Sequence, residues 1–123
     1  LVLDLRGNPG GVVQEALATA NLFLPKGAPL LEVRSREGTE RFGAEVAPLV
    51  QQEPVVVLVD GGSASSAEIV AGALQDNGRA LLLGSRSYGK GLVQSVYGLD
   101  GGYALKLTTG RWYTPKGRSI QKQ

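Results

Sequence analysis

Residues 54–78 read PVVVLVDGGSASSAEIVAGALQDNG, and the order of residue types in that stretch decides the architecture. Val55 to Val59 is an unbroken run of β-branched and aliphatic residues, suited to a strand buried on both faces within a parallel sheet covered by helices. Gly61 and Gly62 then turn the chain. From about Ser65 to Asp76, Ile69, Val70, Ala73 and Leu74 recur at helical spacing and predict an amphipathic helix, ended by Asn77-Gly78. Strand, glycine turn, serine and helix in that order form the unit of an α/β fold.

Similar units lie on either side. Leu1 to Leu5 reads as a buried strand, Gly7-Asn8-Pro9-Gly10-Gly11 as a loop, and Val13, Ala16, Leu17, Ala20 and Leu24 as one face of a helix stopped by Pro25 and Gly27. Residues 28–46 alternate charged and apolar residues around Glu37-Gly38, which predicts a half-exposed hairpin or flap. After the central helix come a buried strand over Ala80–Leu83, a glycine-rich loop from Gly84 to Gly91 and a strand over Leu92–Tyr97. Asp100-Gly101-Gly102 then turns into YALKLTTGRWYTP. The expected architecture is α/β, with a mainly buried sheet, flanking helices and an antiparallel piece at the end.

Composition narrows the function. The 123 residues suit one domain with a modest core, and the 18 glycines cluster in turns between apolar runs. Thirteen basic against eleven acidic residues give a net charge of +2 with no stripe of Lys and Arg, which argues against a nucleic-acid partner. With neither cysteine nor histidine, disulfides and the usual zinc or iron constellations cannot be built, and no cofactor is expected. No run approaches the ~18 apolar residues of a membrane span, and no leader is visible. The sequence opens at Leu1 inside an apparent strand, which reads as a cut fragment.

The loops carry the candidate chemistry. A serine attacks a carbonyl only when exposed at a rigid turn, within reach of a base, and near donors for the oxyanion. The strand-to-helix turn gives Ser65 the first condition, and Ser66, at the start of a helix, can offer its backbone N–H to developing negative charge. Against this stands the helix cap: Ser65 followed by Glu68 has capping-box spacing, and on the residues alone that reading outweighs the other. A phosphate cradle is disfavoured, because neither GxGxxG nor GxxxxGK[ST] is present. Without histidine, the base must be a carboxylate, a tyrosine or a lysine made neutral by burial. Lys90, pinned between Gly89 and Gly91, is the candidate, with a plain surface lysine in a turn as the alternative. In GNPGG, Gly10 and Gly11 would let bare backbone approach a substrate carbonyl, or simply make a turn.

Together, LVLDLRGNPGG, VVVLVDGGSASSAEIVAGALQDNGRA, GSRSYGKGLVQ and LTTGRWYTPKGRSIQ, in this order and over almost the whole sequence, resemble the catalytic core of the carboxyl-terminal processing (tail-specific) proteases of the S41 serine peptidase family. The resemblance implies a fold related to Clp protease and crotonase, and endopeptidase cleavage of protein substrates near their C-terminus. It implies Ser65 as nucleophile, Lys90 as general base, Gln94 as the third member of a Ser-Lys-Gln arrangement, and the N–H groups of Gly11 and Ser66 as the oxyanion hole. The family usually reads S-A-S-A-S-E at the nucleophile; here Ser66 and Ala67 exchange the small residues, which keeps a backbone donor.

No metal or cofactor is implied. The partner would be an extended polypeptide added beside a sheet edge near LVQSVY or the hairpin after it, and the compartment extracytoplasmic, in the periplasm or cell envelope. Residues 1–123 would be part of the core, without the PDZ domain that family members carry, and exposed sheet edges could support oligomers. The alternatives are a silent peptide-binding homologue, an inactive isolated fragment, and a crotonase-like acyl-thioester enzyme, which would need a coenzyme A pocket for which no basic residues are well placed.

Overall fold

A computed structural model describes residues 1–122. Along the chain run β1 (Val2–Asp4), α1 (Val13–Asn21), β2 (Pro29–Ser35), β3 (Gly38–Gly43), β4 (Val55–Val59), α2 (Ser66–Asp76), β5 (Ala80–Gly84), β6 (Leu92–Gly98) and β7 (Ala104–Tyr113). The β-branched run, the glycine turns and the two apolar helix patterns therefore lie where the sequence places them.

The strands form two sheets. β1, β4 and β5 are parallel in the order β1-β4-β5, whereas β3-β2-β7-β6 is antiparallel. Helix α2 packs against α1, β2 and β5, so it lies between the parallel and antiparallel parts. This placement corrects the expected amphipathic α2: every residue from Ser66 to Leu74 is buried, Asp76 as well, and only Gln75 is exposed. Small residues make such enclosure possible. A side chain at Gly72 would come within 2.9 Å of Thr114 Cγ2, so α2 can approach the end of β7 only because glycine stands there.

The core joins Leu17, Leu24, Leu30, Val57, Ile69, Leu74 and Trp112. On β4, Val55, Val57 and Val59 point into it, while Val56 and Leu58 on the other face are half-buried. β5 was expected to be buried but is an edge strand, with Leu81 62% and Leu83 47% exposed. Helices cover one face of the parallel sheet, and strand alternation turns every second residue of β5 to the other.

β2 pairs with β7 only over Gly110–Tyr113, so the β6–β7 hairpin continues past the sheet as a two-stranded arm. Tyr97, Leu105 and Leu107 are exposed on it. No helix among the described residues is long and apolar enough to cross a membrane.

Candidate active site

The chain leaving β4 must reverse and enter α2 within a few residues, and Asp60 and Ser63 fix how it does so. Asp60 Oδ1 accepts the N–H of Gly7 at 2.8 Å and of Gly62 at 2.9 Å. These two donors hold its carboxyl below the usual carboxylate range. Ser63, fully buried, donates its hydroxyl to Leu5 O at 2.7 Å and accepts the Asp60 N–H at 3.0 Å. Ser63 thus shapes the turn. The Ala64 N–H reaches Asn8 O at 2.9 Å, which ties the β4–α2 turn to the GNPGG loop.

At the end of this turn stands Ser65, with φ 58° and ψ −121°, the one non-glycine residue of positive φ among the described residues. Such a backbone costs about 1–3 kcal/mol and persists only where its surroundings over-determine it. The GNPGG loop is part of those surroundings. Gly10 has φ 92°, and a Cβ there would lie 2.7 Å from Ala64 O, 2.8 Å from Ser65 Cβ and 2.9 Å from Ser66 N. Only bare backbone fits against the serine.

Glu68 lies beneath Ser65 and is 5% exposed. Its Oε2 accepts the Ser65 N–H at 2.8 Å, the glutamate half of a capping box. The serine half is loose: Ser65 and Glu68 stand in capping-box relation, yet no hydrogen bond of ordinary geometry caps the helix through Ser65 Oγ. The same carboxylate also holds the lysine loop. Oε1 accepts the Ser87 hydroxyl at 2.7 Å and the Gly89 N–H at 2.7 Å, and Oε2 accepts the Lys90 N–H at 2.9 Å. Bonds of 2.8 and 2.9 Å to a single oxygen bring the backbone nitrogens of Ser65 and Lys90 no farther apart than those lengths combined.

Glycines flank Lys90 for a steric reason. The chain at Ile120–Lys122 runs against the loop: a Cβ on Gly89 would lie 2.7 Å from Lys122 Cβ, and one on Gly91 2.4 Å from Gln121 N. The Lys122 N–H bonds Gly89 O at 2.9 Å, and the Gly91 N–H bonds Gln121 Oε1 at 3.0 Å.

The candidate residues are not all brought together. Ser65, Ser66, Gly11 and the Lys90 backbone share one locale, but Lys90 is exposed, which corrects the expectation of a buried lysine. No hydrogen bond joins it to Ser65 Oγ among the described residues. Gln94 lies exposed on β6, just after a register shift at Val93/Gln94 and opposite Thr108, with no side-chain hydrogen bond to Lys90 among the described residues. The Gly11 N–H donates to Ser66 Oγ at 2.6 Å, whereas the Ser66 N–H, first in α2, has no hydrogen-bond partner among the described residues and stands at the positive end of the helix dipole.

Two features escaped the sequence reading. Glu68 was visible only as a cap, and its further donors come from 19 to 22 residues downstream. Asp4 and Arg6, at the end of β1, pair at 2.8 Å, and the Arg6 guanidinium and N–H hold the Asp4 carboxyl down at about 2. The sole signal for that pair is the DLR spacing, an acid and a base two residues apart across the end of β1. No three His, Cys, Asp or Glu side chains gather among the described residues in a way that could hold a metal ion.

A parallel sheet whose strand-to-helix turn presents a strained serine beside two glycine loops defines an α/β core of the Clp protease/crotonase type. The chain belongs to peptidase family S41, whose family model matches residues 1–123. It is 48% identical over 122 residues to a carboxy-terminal-processing protease of Bartonella bacilliformis, covering 98% of this chain and 28% of that protein. It is 42% identical over 121 residues to a carboxyl-terminal-processing protease of Synechocystis sp., covering 98% and 28% respectively. The solved photosystem II D1 C-terminal processing protease superposes with a TM-score of 0.92 at 37% identity, over 98% of this chain and 31% of that one. The chain thus spans under a third of the length of these relatives.

Proposed function

We propose that residues 1–123 form part of the catalytic core of a serine endopeptidase that cleaves polypeptides near their C-terminus in an extracytoplasmic compartment. The observation that carries this reading is the Glu68 carboxylate, which holds the N–H of Ser65 and the N–H of Lys90 on one oxygen. A strained serine and a lysine loop anchored to the same atom suit a nucleophile and its base.

In this reading neutral Lys90 takes the Ser65 proton as Oγ bonds to the scissile carbonyl carbon, and the carbonyl oxygen becomes an oxyanion. The Ser66 N–H receives it, joined by the Gly11 N–H once that donor turns from Ser66 Oγ. The C–N bond then breaks, Lys90 gives its proton to the leaving amine, and Ser65 is left acylated. Water, deprotonated by Lys90, attacks the ester, and the acid product leaves as Ser65 recovers its proton. The exposed ammonium of Lys90 is desolvated when an extended polypeptide, with Gln94 beside it, covers the loop.

The test is cleavage of an unfolded protein by the whole polypeptide carrying these residues. Ser65→Ala and Lys90→Ala should each lower the rate by about 10³-fold or more. Cleavage by both variants at the wild-type rate would remove Ser65 and Lys90 as nucleophile and base, whereas no cleavage by the wild type would leave a silent peptide-binding homologue as the reading, which the engaged Gly11 N–H already suits.

A further inference from the structure

The hydroxyl of Ser66 is neither nucleophile nor base, yet it stands beside the amides that would meet the developing charge. Ser66 is 7% exposed, and its Oγ accepts the Gly11 N–H at 2.6 Å. In any staggered rotamer Oγ also lies within about 4 Å of the N of its own residue. One neutral oxygen therefore occupies the first of the two candidate oxyanion donors and sits next to the second.

The two sides of this contact differ in freedom. Ser66 opens α2, whose residues from Ser66 to Leu74 are all buried, so its side chain is enclosed. Gly11 is exposed, and a Cβ built on it would meet nothing within 4 Å. Gly10 is held instead: its N–H bonds Asn8 Oδ1 at 2.9 Å, and a Cβ there would lie 2.9 Å from Ser66 N. The loop is anchored against the serine turn up to Gly10, which leaves the Gly10–Gly11 peptide as the part able to rotate. Neither residue has a side chain to resist that rotation.

We propose that the Ser66 hydroxyl is a latch on the oxyanion site, holding the Gly11 N–H out of use until a developing oxyanion draws it away. The assignment rests on the reading of Ser65 as nucleophile and of the Gly11 and Ser66 amides as oxyanion donors. A hydroxyl and a peptide carbonyl are both neutral acceptors, so a carbonyl that is merely bound gains little by displacing the hydroxyl. An oxyanion accepts a bond roughly twice as strong, and takes the donor. The latch thus yields in the transition state rather than on binding, and every turnover gives up the Gly11–Ser66 bond to reach it. Removing an oxyanion donor outright costs about 10²–10³-fold in kcat, whereas the net strength of one hydrogen bond is a factor of about three to ten. The smaller factor is the one a latch imposes.

The experiment uses the whole polypeptide carrying these residues, a peptide substrate and the matching peptide aldehyde. The aldehyde carbon bonds Ser65 Oγ as the serine proton passes to Lys90, and the aldehyde oxygen enters the oxyanion site. Ser66→Ala should raise kcat/KM and tighten aldehyde binding by the same factor, about three- to tenfold. Binding of the uncleaved peptide to the Ser65→Ala form should be the same with and without Ser66→Ala. Water can reach the exposed Gly11 N–H, so the urea midpoint should hardly move. Should Ser66→Ala unfold, Ser66→Cys, whose sulfur is only a weak acceptor, carries the same test and should shift both quantities in the same direction. Rates and aldehyde affinities equal to wild type overturn the latch, and lower ones overturn it by making the hydroxyl a support of the oxyanion. Failure of the underlying reading looks different: Ser65→Ala would then bind the aldehyde as tightly as wild type does, and the latch would fall with the nucleophile.

Discussion

At the scale of the residue, Glu68 decides more than Ser65 does. Four donors converge on its two oxygens, and three of them are backbone N–H groups that have no other partner when the carboxylate is lost. Glu68→Gln keeps the shape but offers one oxygen and one NH2, so whichever way the amide turns, at least one buried N–H faces another donor. Stability should fall by about 1–3 kcal/mol for each such group, read as a lower urea midpoint, and cleavage should fall with it. Glu68→Asp, with its carboxylate withdrawn by one methylene, should not restore cleavage. An amide variant as stable and active as wild type would show that the carboxylate does not hold the two loops. Ser65, Ser66 and Lys90 are legible in the sequence because glycines and a strand-to-helix switch mark their turns. The larger part of Glu68 is not, because capping-box spacing already explains that residue, and nothing local tells which N–H groups from beyond β5 will face it. Lys90 illustrates the opposite difficulty: its flanking glycines are readable, but exposure depends on what packs above the loop.

At the scale of the element, boundaries follow local chemistry and burial follows partners. β4 ends where Asp60-Gly61-Gly62 begins, and α2 ends at Asn77 and Gly78, as the sequence indicates. The all-round burial of α2 could not be read from its apolar spacing, since it depends on a second sheet made by strands from both ends of the chain. The run of small residues Ala71, Gly72 and Ala73 was the available hint. The open outer face of β5 was hidden for the same reason: a continuous apolar run does not say which faces will be covered. The β1 loop and the β4 turn are clipped together by Asp60, and that clip responds to acid. Its folded carboxyl titrates below the ordinary range, so its contribution is present above about pH 4, the value of a free aspartate, and is lost as pH falls through the folded value. The gap in urea midpoint between wild type and Asp60→Asn should therefore be widest near neutral pH and close on acidification below about 4. A gap that is constant from pH 6 to pH 3 would mean that charge on Asp60 is not what the Gly7 and Gly62 amides select.

At the scale of the whole molecule, α2 is the common wall of two sheets, and residues after β7 return to it. Asp76, almost wholly buried, takes the Arg118 guanidinium and the Lys116 N–H at 2.9 Å. Burial alone would raise its carboxyl, but hydrogen bonds from Thr114, Lys116 and Arg118 outweigh that and lower it. The end of the chain is thereby fastened to the helix that starts at the strained serine. The distances along the chain over which the candidate site is assembled differ in kind. Glu68 meets the Gly89 and Lys90 amides across 21 and 22 residues, but Gly7 meets Asp60 across 53 and Gly11 meets Ser66 across 55. Longer closures are slower to form, and parallel pairing such as β1 with β4 is among the slowest. The serine–lysine half can thus exist in a refolding chain before the GNPGG half arrives. Pulse-labelled amide exchange should find Gly89 and Lys90 protected ahead of Gly7 and Gly11, and simultaneous protection would mean a single concerted step. In a polypeptide that matures in this order, Ser65 and Lys90 meet while the Gly11 loop is still unmade, so a newly folding copy would for a time hold its strained serine and its lysine loop together with one side of the turn open.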